Sequence, residues 1–180
     1  MIYFDSSLPQ RQYDPDKARY HIKKASLQNP TFKIHGADGA WPGAIDAALI
    51  YKESAAKAGI TLDVVREPND GFWSDVWCKK PFCATWMGGR TTPDMVYGTM
   101  YAPDIPWNCV HWNNPRFNEL LFKARAELDH NKRKTMYAEM QGLVHNEYGA
   151  IIPFFVDSVD ARSNKIAHGP IAGNIPLDGW

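Results

Sequence analysis

Residues 31–66 read TFKIHGADGAWPGAIDAALIYKESAAKAGITLDVVR, and their hydrophobic pattern decides the fold. Residues 31–35 alternate as a β-strand does, and residues 60–66 form a second strand rich in β-branched side chains. Between the strands, residues 44–58 place Ala and Tyr side chains along one helical face, and Gly59 is the natural C-terminal cap. Strand, helix and strand in this order predict a right-handed βαβ unit and an α/β fold.

A helix is predicted upstream of the βαβ unit. The Asp-Pro-Asp sequence at 14–16 supplies a cap, a proline for the first turn and an acidic residue that complements the helix dipole. We expect this helix to run to about Ala25, with Ala18, Ile22 and Ala25 on its buried side.

The region downstream of the unit is less regular. Residues 68–77 predict a short helix, and residues 82–86 predict a third strand. Residues 91–112 are rich in loops and aromatic side chains, with one short helix near residues 95–100. A loop region of this length inside a compact domain is usually functional.

Two longer helices and two strands complete the predicted domain. The helices span about residues 114–128 and 132–148, and residues 151–156 and 159–166 are expected to be neighbouring strands. The result is a mixed sheet flanked by helices. The residues expected on the buried sides of the two helices are Phe117, Leu120, Leu121, Ala124, Met136, Met140, Leu143 and Val144.

The composition narrows the function. The 180 residues include 20 basic and 20 acidic side chains, so the formal net charge is zero. This balance argues against a nucleic-acid binder, which usually has a basic stripe, and against a polybasic membrane anchor. The apolar runs are too short to span a bilayer, and residues 1–5 lack the basic and apolar segments of an export signal.

The cysteines and histidines do not predict a metal site. Cys78 and Cys83 could form a disulfide, or Cys83 and Cys109, but buried free thiols are the favoured interpretation. A C-x4-C spacing without a second pair or a nearby His is a poor zinc motif. The six His residues show no i, i+4 spacing. We therefore expect no bound metal and no cofactor.

The strongest candidate for a binding site is the segment Trp86-Met87-Gly88-Gly89-Arg90, at the carboxyl end of a predicted strand. Trp86 would stack on a ligand, and the two glycines would let backbone N–H groups approach it. Arg90 would donate two hydrogen bonds to a carboxylate or similar anion. The alternative is a tight turn with a solvated arginine.

Other aromatic residues beside turns are weaker candidates. Tyr101, Trp107 and Asn108 lie on the loop-rich stretch, where large rings can line a ligand cleft. Trp41 and Trp73 follow, because a role in sealing loops onto the core explains them nearly as well.

Several landmarks occur together in one order along the chain. They are YDPDKA at 13–18, AGI at 58–60, Trp86 with its glycines and Pro93-Asp94, and NPRFN at 114–118 followed by Asp129, Lys132-Arg133, Tyr137 and Ile152-Pro153-Phe154. In this order they resemble the family 5 extracellular solute-binding proteins of ABC importers, the dipeptide-, oligopeptide- and nickel-binding type. The resemblance covers nearly all of the chain from Tyr13 onward.

The resemblance implies that the chain is the C-terminal lobe of a longer, two-lobed periplasmic-binding protein. Residues 1–12 would be a crossover segment, residues 13–150 the α/β second lobe, and residues 151–180 strands returning toward a first lobe that precedes this sequence. Such receptors are periplasmic monomers that close by hinge motion on a small solute and deliver it transiently to a membrane permease. The export signal would lie in the earlier part of the protein.

One departure from the family pattern bears on the ligand. Peptide-binding members similar to this chain carry an Asp at the position of Gly89, where it holds the ammonium group of the peptide. Here Gly89 is followed by Arg90, which would repel that group. An opine, sugar or carboxylated solute is therefore expected to fit better than a peptide with a free N-terminus.

Two other classes of function stay open. A Trp-rich glycan hydrolase would use two carboxylates, and Asp70, Asp75 and Asp94 are the candidates. A pure interaction module would expose a large apolar face. The sequence contains no G-x-S-x-G, P-loop, G-x-G-x-x-G or Cys-His motif of recognised spacing, so we expect a binding protein and not an enzyme.

Overall fold

The structure, a computed structural model, describes residues 2–156 and 161–167. Its helices are α1 (Pro15–Lys24), α2 (Ala44–Ala56), α3 (Pro93–Val96), α4 (Pro115–Ala126) and α5 (His130–Glu147), and its strands are β1 (Thr31–Gly36) and β2 (Thr61–Arg66). Two π-helical turns span Phe72–Val76 and Tyr97–Tyr101. Within the described residues, no helix is long and apolar enough to cross a bilayer.

The chain divides into two compact units. The first consists of residues 6–87, and the second of the described residues among 1–5 and 88–180. The sequence-based division at residues 12 and 150 refers to a larger protein and stays a prediction.

The βαβ unit forms the centre of the first unit. β1 and β2 pair in parallel, from Thr31 opposite Thr61 to Gly36 opposite Arg66, and α2 packs against both strands. Gly59 lies between α2 and β2 with a φ of 78°, a left-handed conformation that favours glycine. The α/β class predicted from the sequence is thereby confirmed.

The predicted third strand at residues 82–86 is reduced to one bridge. The N–H of His35 donates to the carbonyl of Phe82 at 3.0 Å, and the N–H of Ala84 donates to the carbonyl of His35 at 2.8 Å. This pairs Cys83 with His35 in parallel. Because β1 ends at Gly36, residues 85 and 86 pair with no strand in the part of the chain that the structure describes.

The first helix begins as predicted but is not buried. The side chain of Asp14 accepts a hydrogen bond from the N–H of Lys17 at 2.8 Å, which confirms the cap. No residue of α1 is buried, however. Ala18 and Ile22 are half-buried and Ala25 is exposed, so the predicted buried side is wrong. An amphipathic pattern shows that a helix has an apolar face, but it does not show whether other residues pack on that face. Little of the first unit packs on the apolar face of α1.

The core of the second unit lies between α4 and α5. All four predicted residues of α4 are buried, and the side chains of Asn114 and Asp129 cap the two helices. On α5, Met140 is buried as predicted, together with Tyr137, which was not among the residues expected to be buried. The other residues of α5 that were expected to be buried are half-buried against this core, namely Met136, Leu143 and Val144.

The strands predicted after α5 are not formed in the described residues. Residues 151–156 are exposed and make no strand pairing, so that prediction is wrong for this stretch. A strand needs a neighbour to satisfy its backbone groups, and Pro153 lacks one of the donors. Residues 161–166 are irregular with a turn, and residues 159–160 lie outside the described residues.

Candidate functional site

The carboxyl ends of the parallel segments meet at one edge of the first unit, which we call the carboxyl edge. β1, β2 and the bridge at Cys83 run in the same direction, so the residues that follow each of them leave the sheet at this edge. The loops concerned are residues 37–43, 67–71 and 84–87. Open α/β sheets bind ligands outside the carboxyl ends of their strands, which makes this edge the candidate site.

A half-buried side-chain hydrogen bond joins the ends of the two strands. The Nδ1 atom of His35, on β1, lies 2.6 Å from Oε1 of Glu67, which directly follows β2. The side chains are 14% and 19% exposed, so water competes little for this contact. The backbone N–H of Glu67 also donates to the carbonyl of Gly36 at 2.8 Å.

Two further polar contacts hold the same pair of loops together. Nη1 of Arg66 donates to Oδ2 of Asp38 at 2.7 Å, and the backbone N–H of Gly39 donates to Oδ1 of Asn69 at 2.8 Å. A Cβ atom at Gly39 would come within 2.9 Å of the Asn69 side chain, so glycine is required for this close approach. The two loops are therefore fixed relative to each other within the unit.

The tryptophans of this unit differ in accessibility. Trp41 packs half-buried against the small core that contains Phe72 and Val76, in agreement with the alternative role in the core. Trp73 is 45% exposed, with its ring edge-on to Phe72 and Trp77 at centroid distances of 5.4 and 5.5 Å. Trp86 is 52% exposed, and Met87 beside it is also exposed. Trp73 and Trp86 thus present ring surface that a solute could contact.

The residues that follow Met87 belong to the second unit. Nη1 of Arg90 donates to the carbonyls of Gly88 and Gly89 at 3.0 and 3.1 Å, so this nitrogen is used within its own turn. A Cβ atom at Gly89 would meet no atom within 4 Å. The contacts of Arg90 favour the alternative of a turn residue over an anion-binding arginine.

Two candidates from the loop-rich stretch lie in the interior of the second unit. The Asn108 side chain donates to the carbonyls of Ala102 and Trp112 at 3.1 and 2.7 Å and accepts from the N–H of Trp112 at 3.1 Å. Tyr101 is buried against Tyr148, with ring centroids 4.4 Å apart, and burial raises its pKa. These contacts give both residues a structural role, whereas Trp107 is accessible.

The cysteine states differ from those expected. Cys83 is a free thiol whose pKa is raised by burial, so neither pairing considered from the sequence occurs, since both include Cys83. Cys78 and Cys109 are disulfide-bonded, so the interpretation as free thiols is wrong for these two residues. Spacing along the chain carries no information about which cysteines meet in space.

The structure also brings together two residues that were not predicted as site residues. Neither His35 nor Glu67 was a candidate, although the strand register contains the signal. With Thr31 opposite Thr61, His35 stands opposite Val65, and Glu67 is two residues further along. In the portions of the chain that are described, no group of three or more His, Cys, Asp or Glu side chains could hold a metal ion.

Comparison with known proteins gives clear relatives. The chain is 28% identical over 160 residues to the dipeptide-binding protein of Escherichia coli, matching 78% of this chain and 28% of that protein. It is 23% identical over 154 residues to the SapA peptide transport periplasmic protein of Salmonella typhimurium, matching 80% of this chain and 28% of that protein. The chain therefore spans a little over a quarter of the length of these relatives. No protein-family model matches it.

Solved structures show the same fold. The chain matches DppA of Helicobacter pylori, solved with the peptide STSA, with a TM-score of 0.66 and 23% identity, over 79% of this chain and 29% of that one. It also matches NikZ of Campylobacter jejuni, solved with Ni(L-His), with a TM-score of 0.68 and 19% identity, over 81% of this chain and 33% of that one. The resemblance to the family 5 solute-binding proteins of ABC importers is thus confirmed, in sequence by the peptide-binding relatives and in fold by the solved receptors.

Proposed function

We propose that the protein containing this chain is a periplasmic solute receptor of an ABC importer. It binds its solute reversibly, does no chemistry on it, and passes it to a membrane permease in a transient complex. The observation that carries the proposal is the exposed ring of Trp86 at the carboxyl edge of a chain that is similar in sequence to dipeptide-binding proteins. We expect the complete receptor to act as a monomer.

We further propose that the solute is a small peptide. The relatives are named for dipeptides and peptide transport, and one solved structure of this fold holds a tetrapeptide while another holds a nickel–histidine complex. An opine-, sugar- or carboxylate-type solute has no support from these relatives. Its physical basis is also weaker, because Arg90 already donates to two carbonyls of its own turn.

The chemistry of the carboxyl edge suits such a ligand. An aromatic face such as that of Trp86 gives apolar contact to peptide side chains of different shapes, because stacking makes few demands on the sequence of the peptide. The hydrogen bonds between the loops after β1 and β2 keep this edge preorganised, which lowers the conformational entropy lost on binding.

The alternative of a two-carboxylate hydrolase is not favoured. Oδ1 of Asp94 accepts a hydrogen bond from Nε of Arg125 at 2.6 Å, which gives this carboxylate a structural partner. Asp70 and Asp75 lie in the other unit, close to the π-helical turn at Phe72–Val76, and Asp75 is part of that turn. The relatives are named for binding and transport.

The test is calorimetric titration of dipeptides and tripeptides into the protein produced from its complete gene. We expect micromolar or tighter binding by the wild type and a loss of about tenfold or more for Trp86→Ala, since removal of a stacked ring costs roughly 1–2 kcal/mol. Tyr20→Ala is the matched control, because Tyr20 is an equally exposed aromatic residue on α1. An equal effect of both substitutions would remove Trp86 from the site.

A further inference from the structure

We propose that His35 is a positioning residue for solute binding: together with Glu67 it fixes the segment that carries Trp86 at the carboxyl edge. The inference rests on the proposed function, because it gives a role to residues behind the same site. His35 acts through the backbone and does not contact the solute.

The backbone of His35 controls the segment before Trp86. Its N–H donates to the carbonyl of Phe82 at 3.0 Å, and its carbonyl accepts from the N–H of Ala84 at 2.8 Å. This single bridge is where residues 82–86 pair with β1, since the predicted third strand is not formed. Ala84 lies two residues before Trp86, so a shift of the His35 peptide group moves the base of the Trp86 segment.

The side chain of His35 is held in turn by Glu67. A carboxylate only accepts hydrogen bonds, so the 2.6 Å contact requires that Nδ1 of His35 carries the hydrogen. Glu67 is itself anchored, since its N–H donates to the carbonyl of Gly36 at 2.8 Å. A chain of contacts therefore runs from the end of β2 through the imidazole to the bridge at Cys83.

Loss of the Glu67 carboxylate would disturb this series of contacts. Leaving the half-buried imidazole N–H of His35 without a hydrogen bond costs free energy. The ring would therefore turn toward another acceptor or toward water. The His35 backbone follows the ring, and the bridge with residues 82–84 weakens. Within the described residues, 84–87 pair with no other strand, so Trp86 would then lose its fixed position.

The experiment observes Trp86 directly, by fluorine NMR of the complete protein labelled with 5-fluorotryptophan. The Trp86 resonance is assigned from its absence in Trp86→Phe. We expect it to shift or broaden in Glu67→Ala and in His35→Ala and to stay in place in Glu67→Gln, which keeps an acceptor at Oε1. Asp63→Ala, at an exposed carboxylate on β2, the strand that Glu67 follows, is the matched control. An unchanged Trp86 resonance in Glu67→Ala would overturn the proposal.

Peptide affinity gives the second measurement. We expect a loss of about tenfold in Glu67→Ala and recovery to within about threefold of the wild type in Glu67→Gln, at unchanged melting temperature for the glutamine variant. A purely structural role would lower the melting temperature of Glu67→Ala without moving its affinity, and that result would contradict the inference. If the wild type binds no peptide, the proposed function fails, whereas the fluorine spectra still decide the role of His35.

Discussion

The ring of Tyr3 stacks on the ring of Tyr137, with centroids 5.0 Å apart and planes inclined by 4°. Gln141 completes this attachment, because its Nε2 donates to the carbonyl of Tyr3 at 2.7 Å and its Oε1 accepts from the N–H of Asp5 at 3.0 Å. The first residues of the chain are therefore an integral part of the second unit, held by side chains of α5.

Gln141→Ala is expected to destabilise the protein by roughly 1–2 kcal/mol, since the half-buried hydrogen bonds to Tyr3, Asp5 and the Tyr137 carbonyl are lost. Chemical denaturation measures the difference. Lys132→Ala is the control, because Lys132 is an exposed residue of the same helix. A free energy of unfolding equal to that of the control would mean that the N-terminal segment is not attached through Gln141.

Asn108→Ala is expected to cost about 1–3 kcal/mol, because the substitution leaves the half-buried N–H of Trp112 and the carbonyls of Ala102 and Trp112 without the Asn108 side chain. The structural role predicts that residual folded protein keeps the peptide affinity of the wild type. Asn131→Ala, at an exposed position of α5, should change neither property. A variant with normal stability and lost affinity would restore Asn108 as a ligand residue.

Alkaline pH is expected to unfold the second unit through its buried tyrosines. Burial, aided by the neighbouring Tyr101, raises the pKa of Tyr148 to about 12, above the value near 10 of an unfolded tyrosine. The folded state therefore holds the proton more tightly. The contribution of protonated Tyr148 to stability is complete below about pH 10 and is lost as the pH rises toward about 12.

Circular dichroism across this pH range measures the effect, and Tyr148→Phe is the matched variant. It keeps the ring and removes the titrating hydroxyl, so its loss of stability above pH 10 should be smaller, by roughly 1 kcal/mol once solvent screening of this half-buried group is allowed for. Identical alkaline profiles for the two proteins would show that Tyr148 does not contribute.

Gly89→Asp is expected to fold with the melting temperature of the wild type, since a Cβ at this position meets no atom within 4 Å. Similar peptide-binding proteins are expected to carry an aspartate here. The added carboxylate should therefore favour peptides with a free ammonium group over N-acetylated peptides by about threefold or more, a ratio that competition titration measures. No change in this ratio would place residue 89 away from the peptide N-terminus.

The sequence was informative where structure depends on neighbours along the chain. The helix cap at Asp14 and the buried residues of α4 follow from local spacing, and both are confirmed. The spacing wrongly predicted a strand at residues 151–156, because a strand forms only where a neighbouring strand supplies its hydrogen bonds. Cys83 pairs with His35 on β1, whereas residues 151–156 pair with no strand in the described residues.

At the candidate site, too, features that depend on local sequence were predictable, whereas features that depend on contacts between distant residues were not. The exposure of Trp86 and Trp73 agrees with their position beside turns. The burial of Tyr101 and Asn108 depends on how α5 and the neighbouring loops pack, which spacing along the chain does not reveal. Predicting the contact between His35 and Glu67 would require the register of β1 against β2 to be known first.

Native mass spectrometry of the protein produced from its complete gene tests whether it captures a small peptide. We expect a bound species with the mass of a short peptide, released on denaturation and reduced in Trp86→Ala. A protein that carries no small molecule, and that takes up none from an added mixture of dipeptides and tripeptides, would contradict this expectation.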